Sequence, residues 1–317
     1  MSIRFIKAGL QTSLQDLGRT GFRRYGIPNN GALDPVSLQI ANWLVSKPLN
    51  SACLEITQAG PVIEFTQDMA IAVTGAHFEL SIDDIPVDMH QTLLVSKGER
   101  LTFGKLVNGA RAYLAFSAAP DLPKIMDSHS TNLMASFGGF EGSAFNNNDT
   151  LTLKNFFMSE AKETPKELQL QFGDNYQIRF IEGREWTRFS DDMQKSFIQS
   201  PYQVTSHSNR MGMRLKGEAL KTEKALSMTT APITPGTIQI PPDGQPIITL
   251  ADGQTTGGYP RIGQVITADL PILGQLKAND SISFQPVDID DAIELLKEKT
   301  NLMEQLLDVY SDSSSAG

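Results

Sequence analysis

Short runs of apolar or alternating residues, each cut off by Gly, Pro, Asn or Asp, restrict this chain to architectures made of short strands. Ala70–Thr74, Phe78–Ile82, Thr92–Ser96, Arg111–Phe116, Gln177–Ile181, Gln203–Thr205 and Ile247–Leu250 are such runs. Segments this brief, bounded by turn formers, favour a barrel or sandwich over a helical bundle. Two stretches break the pattern. Asp34 before Pro35 places a capping carboxylate and a first-turn proline at the head of a helix running to Leu44, with Val36, Ile40, Trp43 and Leu44 on one face. A second helix begins near Asp288 or Asp290 and sets Ile289, Ile293, Leu296, Met303 and Leu307 on one stripe, which is expected to dock against the body.

The fold class expected is therefore mainly β, with a few short helices and a C-terminal helix. With 317 residues there is room for two domains. The polar stretch from Asn155 to Leu168, which contains Pro165, is the best boundary. The expected division is 1–160, 161–287 and an acidic helix and tail over 288–317.

What the chain lacks narrows its chemistry. A formal charge of -9, with acidic residues gathered from Asp288 onward, does not suit nucleic acid, whose phosphates need a basic surface. The longest apolar runs are far too short for a membrane span. Met1–Lys7 lacks the pattern of a secretory signal, and a lone cysteine, Cys53, cannot form an internal disulfide, so a cytoplasmic location is expected. There is no G-x-x-x-x-G-K-S/T phosphate loop, no dinucleotide glycine fingerprint and no G-x-S-x-G elbow. His77, His90, His129 and His207 are scattered, which argues against a metal site.

Four clusters of glycine and polar residues remain. The first runs from Gln15-Asp16-Leu17-Gly18-Arg19 to Gly31-Ala32-Leu33-Asp34. Asp16 and Arg19 either pin that loop or present charge to an anionic substrate. The second joins Ser128-His129-Ser130-Thr131-Asn132 to Gly138-Gly139-Phe140-Glu141-Gly142. Hydroxyls and exposed N–H groups beside paired glycines form an anion-binding nest or simply close a turn. In the third, Ser208-Asn209-Arg210-Met211-Gly212, the guanidinium can grip a carboxylate or phosphate with two prongs. The fourth runs from Pro235 to Pro246, through a short strand, into Asp252-Gly253-Gln254-Thr255-Thr256-Gly257-Gly258-Tyr259-Pro260. It places several polar groups at one rim, where barrels often bind ligands, although a structural double turn has the same composition.

In this order the clusters resemble the biotin-dependent carboxyltransferase-like family that contains the C-type subunit of 5-oxoprolinase (KipA) and the second part of allophanate hydrolase and urea amidolyase. The resemblance extends from about Ile3 to about Pro286. It implies two cyclophilin-like β-barrel domains. It further implies a partner of the KipI kind (the B-type subunit) and, in the 5-oxoprolinase branch, a third protein of the LamB/YcsF kind (the A-type subunit). Together these open 5-oxoproline to glutamate at the expense of ATP with magnesium. Such chemistry must hold a carboxylate, stabilise charge growing on oxygen and position a phosphate. Carried onto this chain, it implies Glu141, Asp252, Gly257 and Gly258 as catalytic candidates. The implied substrate- or phosphate-binding candidates are Asp16, Arg19, Ser130, Thr131, Asn132, Gly138, Gly139, Asn209, Arg210, Gln254, Thr255, Thr256 and Tyr259, with no metal ligands.

Two departures stand out. Ala118-Ala119-Pro120 occupies the place where the family commonly has Gly-Gly, and Asp127-Ser128-His129-Ser130-Thr131 replaces its usual Gly-Ser-Arg-Ser-Thr. The second change removes an arginine and adds a carboxylate near a candidate site. An alternative within the family is transfer of a carboxyl group from carboxybiotin to urea or a similar amide. Lacking a Met-Lys-Met sequence, this chain carries no covalent biotin and would be the acceptor half. A third reading is a regulator that binds a kinase inhibitor of the KipI type.

Overall fold

The computed structural model describes residues 1–173, 175–221 and 228–307 and divides into two compact units. The first comprises Met1–Thr20 and Asn29–Phe172, and the second comprises Gly21–Pro28 and Gly173–Gly317. The class is mainly β, as expected. Among the described residues no helix is long and apolar enough to cross a membrane.

The first unit is one antiparallel sheet. Its strands lie in the order Gln11–Gln15, Cys53–Thr57, Arg100–Phe116, Val62–Phe65, Ser2–Lys7, Thr150–Lys154 and Ala119–Pro120. The long strand Met69–Ile82 branches from this path onto Arg100–Phe116. Sequence patterning splits Met69–Ile82 into two runs. The structure joins them, with the register against Arg100–Phe116 slipping between Gly75 and Leu80. Such bulges bend a strand without ending it. Inside the curve lie Ile3, Phe5, Leu14, Leu54, Ile56, Ile63, Leu101 and Leu114, all shielded from water, with Phe5 stacked on Phe145 at 4.2 Å.

Helix α1 (Pro35–Leu44) begins as predicted. Asp34 accepts from Ser37 N at 3.0 Å and from Ser37 Oγ at 2.6 Å. Its buried face is Leu38, Ile40, Ala41 and Leu44, whereas Val36 and Trp43 are half-buried, so the face is rotated from the one read in sequence. Each buried Leu or Ile contributes about 2 kcal/mol. The polar stretch after Lys154 runs along this same unit. Thr92 N donates to Lys162 O at 2.9 Å, Thr164 N to His90 O at 2.8 Å, and Lys162 Nζ sits 5.0 Å from the Trp43 ring. Burial and nearby His77 push His90 down to about 4.

The second unit closes seven strands into a barrel. Around it run Asn175–Glu182, Arg261–Val265, Thr237–Gln239, Ile247–Thr249, Gly212–Lys216, Tyr202–Val204 and Ser281–Pro286. The first and last pair in parallel, from Asn175↔Ser281 to Phe180↔Pro286, and this seam closes the ring. Helix α2 (Asp191–Gln199) buries Phe197, which stacks on Phe284 at 4.4 Å and meets Phe180 edge-on at 5.3 Å. Asp269, wholly buried at the turn into helix α3 (Leu270–Gly274), accepts from Arg179 Nε at 3.0 Å and from its NH2 group at 2.5 Å.

Helix α4 (Ile289–Leu306) departs from expectation. The stripe read as docked leaves Ile289, Ile293 and Leu296 exposed, and none of the residues of the helix is buried. Contact with the body comes from an adjoining face, where Lys299 Nζ donates to Ala268 O at 2.9 Å, and from Leu307 just past the helix. The helix meets the body at the short turn Thr267–Asp269, so only the part of the stripe near that turn is covered. The remainder of the acidic tail, 308–317, lies outside the described residues.

Candidate functional site

In the first unit the two early clusters interlock. Asp16 is buried, and its Oδ1 accepts from Gly18 N at 2.8 Å, Ser128 Oγ at 2.7 Å and Ser130 Oγ at 2.6 Å. Its Oδ2 accepts from His129 N at 2.7 Å, while Asp16 N donates to Ser130 Oγ at 3.0 Å. Arg19, 1% exposed, donates from NH2 to Ser130 O at 2.5 Å and from NH1 to Asn30 Oδ1, and lies 4.8 Å above the Phe137 ring. Thr131 Oγ1 donates to Leu14 O at 3.0 Å. Asn132 Oδ1 accepts from the N–H groups of Met134 and Ala135 at 3.1 and 2.9 Å. These side chains bind one another, and each bond satisfies a group that burial would otherwise strand.

The paired glycines belong to this lock. Gly138 and Gly139 both have positive φ. A Cβ on Gly138 would stand 2.4 Å from Ser130 O, and one on Gly139 would stand 1.9 Å from Thr131 Oγ1. Both space and backbone conformation therefore require glycine here. Glu141 is exposed on the turn that follows, with φ 53.

The second departure noted in the sequence, Asp127–Thr131, has a local explanation. Asp127 takes φ 61, a left-handed geometry that glycine adopts freely and aspartate tolerates better than most residues, so either residue suits this turn. His129 contributes its backbone N–H to the lock, so the exchange of its side chain leaves that bond intact. Its ring is half-buried with Nδ1 unpartnered, and burial lowers its pKa.

Sequence reasoning missed the support beneath Gly31-Ala32-Leu33-Asp34. Glu55 Oε2 accepts from Leu33 N at 2.9 Å and Tyr113 Oη at 2.7 Å, and Tyr113 Oη accepts from Asp34 N at 2.8 Å. Burial, then the nearby Glu55 carboxylate, holds the Tyr113 phenol well above its ordinary range. A glutamate flanked by apolar residues in Cys53–Thr57 is the signal that could have revealed it.

In the second unit Arg210 meets Asp252. Arg210 Nε to Asp252 Oδ2 is 2.8 Å and NH2 to Oδ1 is 3.0 Å, with both side chains buried. The two-pronged grip expected for a substrate is thus made on the chain's own carboxylate, and it ties Ser208–Gly212 to the turn at Asp252. Asn209 Oδ1 accepts from Met211 N at 2.8 Å within that loop.

Beyond Asp252 the character changes. Gln254, Thr256, Gly258 and Tyr259 are exposed and Thr255 is half-buried, so amide, hydroxyl and phenol groups face water along a single rim. Gly257 is buried because its α-carbon packs on Gln239, whose Oε1 a Cβ would meet at 2.6 Å. Gln239 Nε2 donates to Thr249 Oγ1 at 3.1 Å, while its Oε1 is buried without a partner. The structure brings the expected residues together as two groups, one in each unit. Asp16, Arg19, Ser130, Thr131, Asn132, Gly138 and Gly139 are locked inward, and Gln254, Thr256, Gly258 and Tyr259 face outward. Among the described residues no three His, Cys, Asp or Glu side chains are placed to hold a metal ion.

Comparison with known proteins places this geometry in a family. Residues 25–286 match the model of the carboxyltransferase domain, subdomain A and B. The chain is 38% identical to the C-type subunit of 5-oxoprolinase from Escherichia coli (strain K12), over 96% of this chain and 97% of that protein. It is 34% identical to the Haemophilus influenzae protein of the same name, over 96% of this chain and 97% of that protein. The crystal structure of Kluyveromyces lactis urea carboxylase superposes with a TM-score of 0.91 at 29% identity, covering 99% of this chain and 29% of that one. The chain belongs to the carboxyltransferase-domain family.

Proposed function

We propose that this member of the carboxyltransferase-domain family is the C-type subunit of an ATP-dependent 5-oxoprolinase, active only with its partner subunits. The observation that carries the reading is the end-to-end match with two proteins named as that 5-oxoprolinase component, against partial coverage of a urea carboxylase. The partners this implies are a KipI-like B-type subunit and a LamB/YcsF-like A-type subunit, in the cytoplasm.

Opening a lactam requires its carbonyl to be made electrophilic, and ATP with magnesium, when bound in the complex, would supply the phosphoryl group for that activation. Arg19 and Arg210 do not fit as the phosphate grips, because this chain's own acceptors engage them. The nucleotide would therefore rest on other groups of the complex. What this chain offers is the rim at Gln254–Tyr259. An amide, two threonine hydroxyls and a phenol suit hydrogen bonding to a lactam, and a backbone N–H at exposed Gly258 would suit a developing oxyanion. Asp252, held by Arg210, fixes the start of that rim and acts as a positioning residue.

Affinity purification of the tagged chain from its own cells, followed by an assay of glutamate release, tests this proposal. Recovery of both partner types with glutamate formed only when ATP and 5-oxoproline are present is the expected result. The superposition on urea carboxylase supports a second reading, acceptor-side carboxyl transfer. Recovery of a biotinylated carboxylase in place of the two partners would favour it and overturn the first.

A further inference from the structure

The second unit carries a basic groove that none of the four sequence clusters anticipates. It encloses about 500 Å³ and is lined by Arg184, Glu185, Arg188, Thr229, Thr230 and Arg261. Three guanidinium groups face one carboxylate there, in a chain whose formal charge is -9. That carboxylate is already taken. Arg261 donates from Nε to Glu185 Oε2 and from NH2 to Oε1, each at 2.7 Å, and this pair is largely buried. Arg184 and Arg188 are exposed and form no ion pair among the described residues. Arg188 meets the Met228 sulfur, at 3.1 Å.

The groove sits on rigid elements. Gly183 N donates to Ile262 O at 2.9 Å, and a Cβ on Gly183 would stand 2.2 Å from Arg261 O, so the turn bearing Arg184 and Arg188 is pressed onto a barrel strand. On the other wall Ala231 and Pro232 pair with Gly257 and Thr256, and Thr230 Oγ1 would lie 3.8 Å from a Cβ on Gly258. That wall of the groove thus adjoins the exposed rim. Two guanidinium forks outside any ion pair among the described residues, one of them also touching the Met228 sulfur, and two hydroxyls give the groove the donors a small oxyanion needs, with Met228 and Ala231 as its apolar edge.

We infer that this groove is an oxyanion-binding subsite, taking the phosphate or carboxylate group of a small molecule through Arg184 and Arg188. Arg261, held by Glu185, forms its floor. The inference stands on the groove alone and extends beyond the proposed activity, since it is read without partner subunits or turnover.

Calorimetric titration of the full chain with inorganic phosphate, pyrophosphate and L-glutamate tests it. Expected are saturable binding of at least one of these probes and a tenfold or greater loss of affinity in R184A/R188A. The R214A/K216A variant, on the separate groove lined by Arg214 and Lys216, should bind as wild type does. Phosphate or pyrophosphate binding without glutamate binding assigns a phosphate source, and the reverse assigns a carboxylate. R184K/R188K keeps the charge, loses the forks and should fall between, and an unchanged unfolding midpoint shows that each variant is folded. Absence of binding by every probe at millimolar concentration, or equal binding by R184A/R188A, overturns the assignment. Loss of partner recovery in R184A/R188A with no anion binding in wild type would make the groove a protein contact and also overturn it.

Discussion

The lock around Asp16 and the rim from Gln254 to Tyr259 are written in the same residue types but behave as opposites. Around Asp16, glycines bring backbone so close that serine, threonine and asparagine side chains are consumed by one another and by the chain. Along the rim, a buried ion pair and one close-packed glycine hold the loop from beneath, and the polar side chains remain in water. A Gly-rich polar motif therefore does not by itself mark a binding surface. Burial of its side chains decides whether the motif is framework or contact.

If that contrast is right, substitutions in the lock act on stability and substitutions in the rim act on function. Asp16→Ala should have the largest effect, about 4 kcal/mol, because it strands four donors at once, two of them buried and two half-buried. Urea denaturation followed by circular dichroism measures it, and Asp16→Asn should recover part of the loss. Gly139→Ala should cost about 3 kcal/mol from the Thr131 clash together with its positive φ, again seen as a shifted urea midpoint.

Between the extremes lies Glu185→Gln, which keeps the shape of the Arg261 contact but removes its charge, at about 2 kcal/mol. The Arg261 hydrogen bonds hold the Glu185 carboxyl below its ordinary 4.5. A depressed carboxylate adds stability above its unfolded value and loses it as the pH falls through the folded one. Wild type should therefore lose stability below about pH 4.5 more steeply than Glu185→Gln, measured as unfolding midpoints across pH 3–6. The smallest stability effects, under about 0.5 kcal/mol, are expected for Gln254→Ala and Tyr259→Ala. These two should nonetheless lower turnover of the assembled complex.

The contrast also explains what the sequence could disclose. Strand-length runs, the Asp34-Pro35 cap and the ordered clusters were legible because they depend on local spacing and composition. The Arg210–Asp252 pair was not, since the residues lie 42 positions apart and either alone suits a ligand. Nor was the Arg184–Arg188 groove, which needs the far strand Ala231–Pro232 as its second wall. The outward stripe of α4 was misread because periodicity reveals that a helix has an apolar face without revealing what that face meets.

The most direct measurement is 5-oxoproline-dependent ATP hydrolysis, with glutamate release, by the complex rebuilt around wild-type chain and around Q254A/Y259A. The account predicts coupled ATP consumption and glutamate release for wild type, and at least a tenfold loss for the variant at an unchanged unfolding midpoint. ATP hydrolysis indifferent to 5-oxoproline, or full activity in the variant, would contradict it.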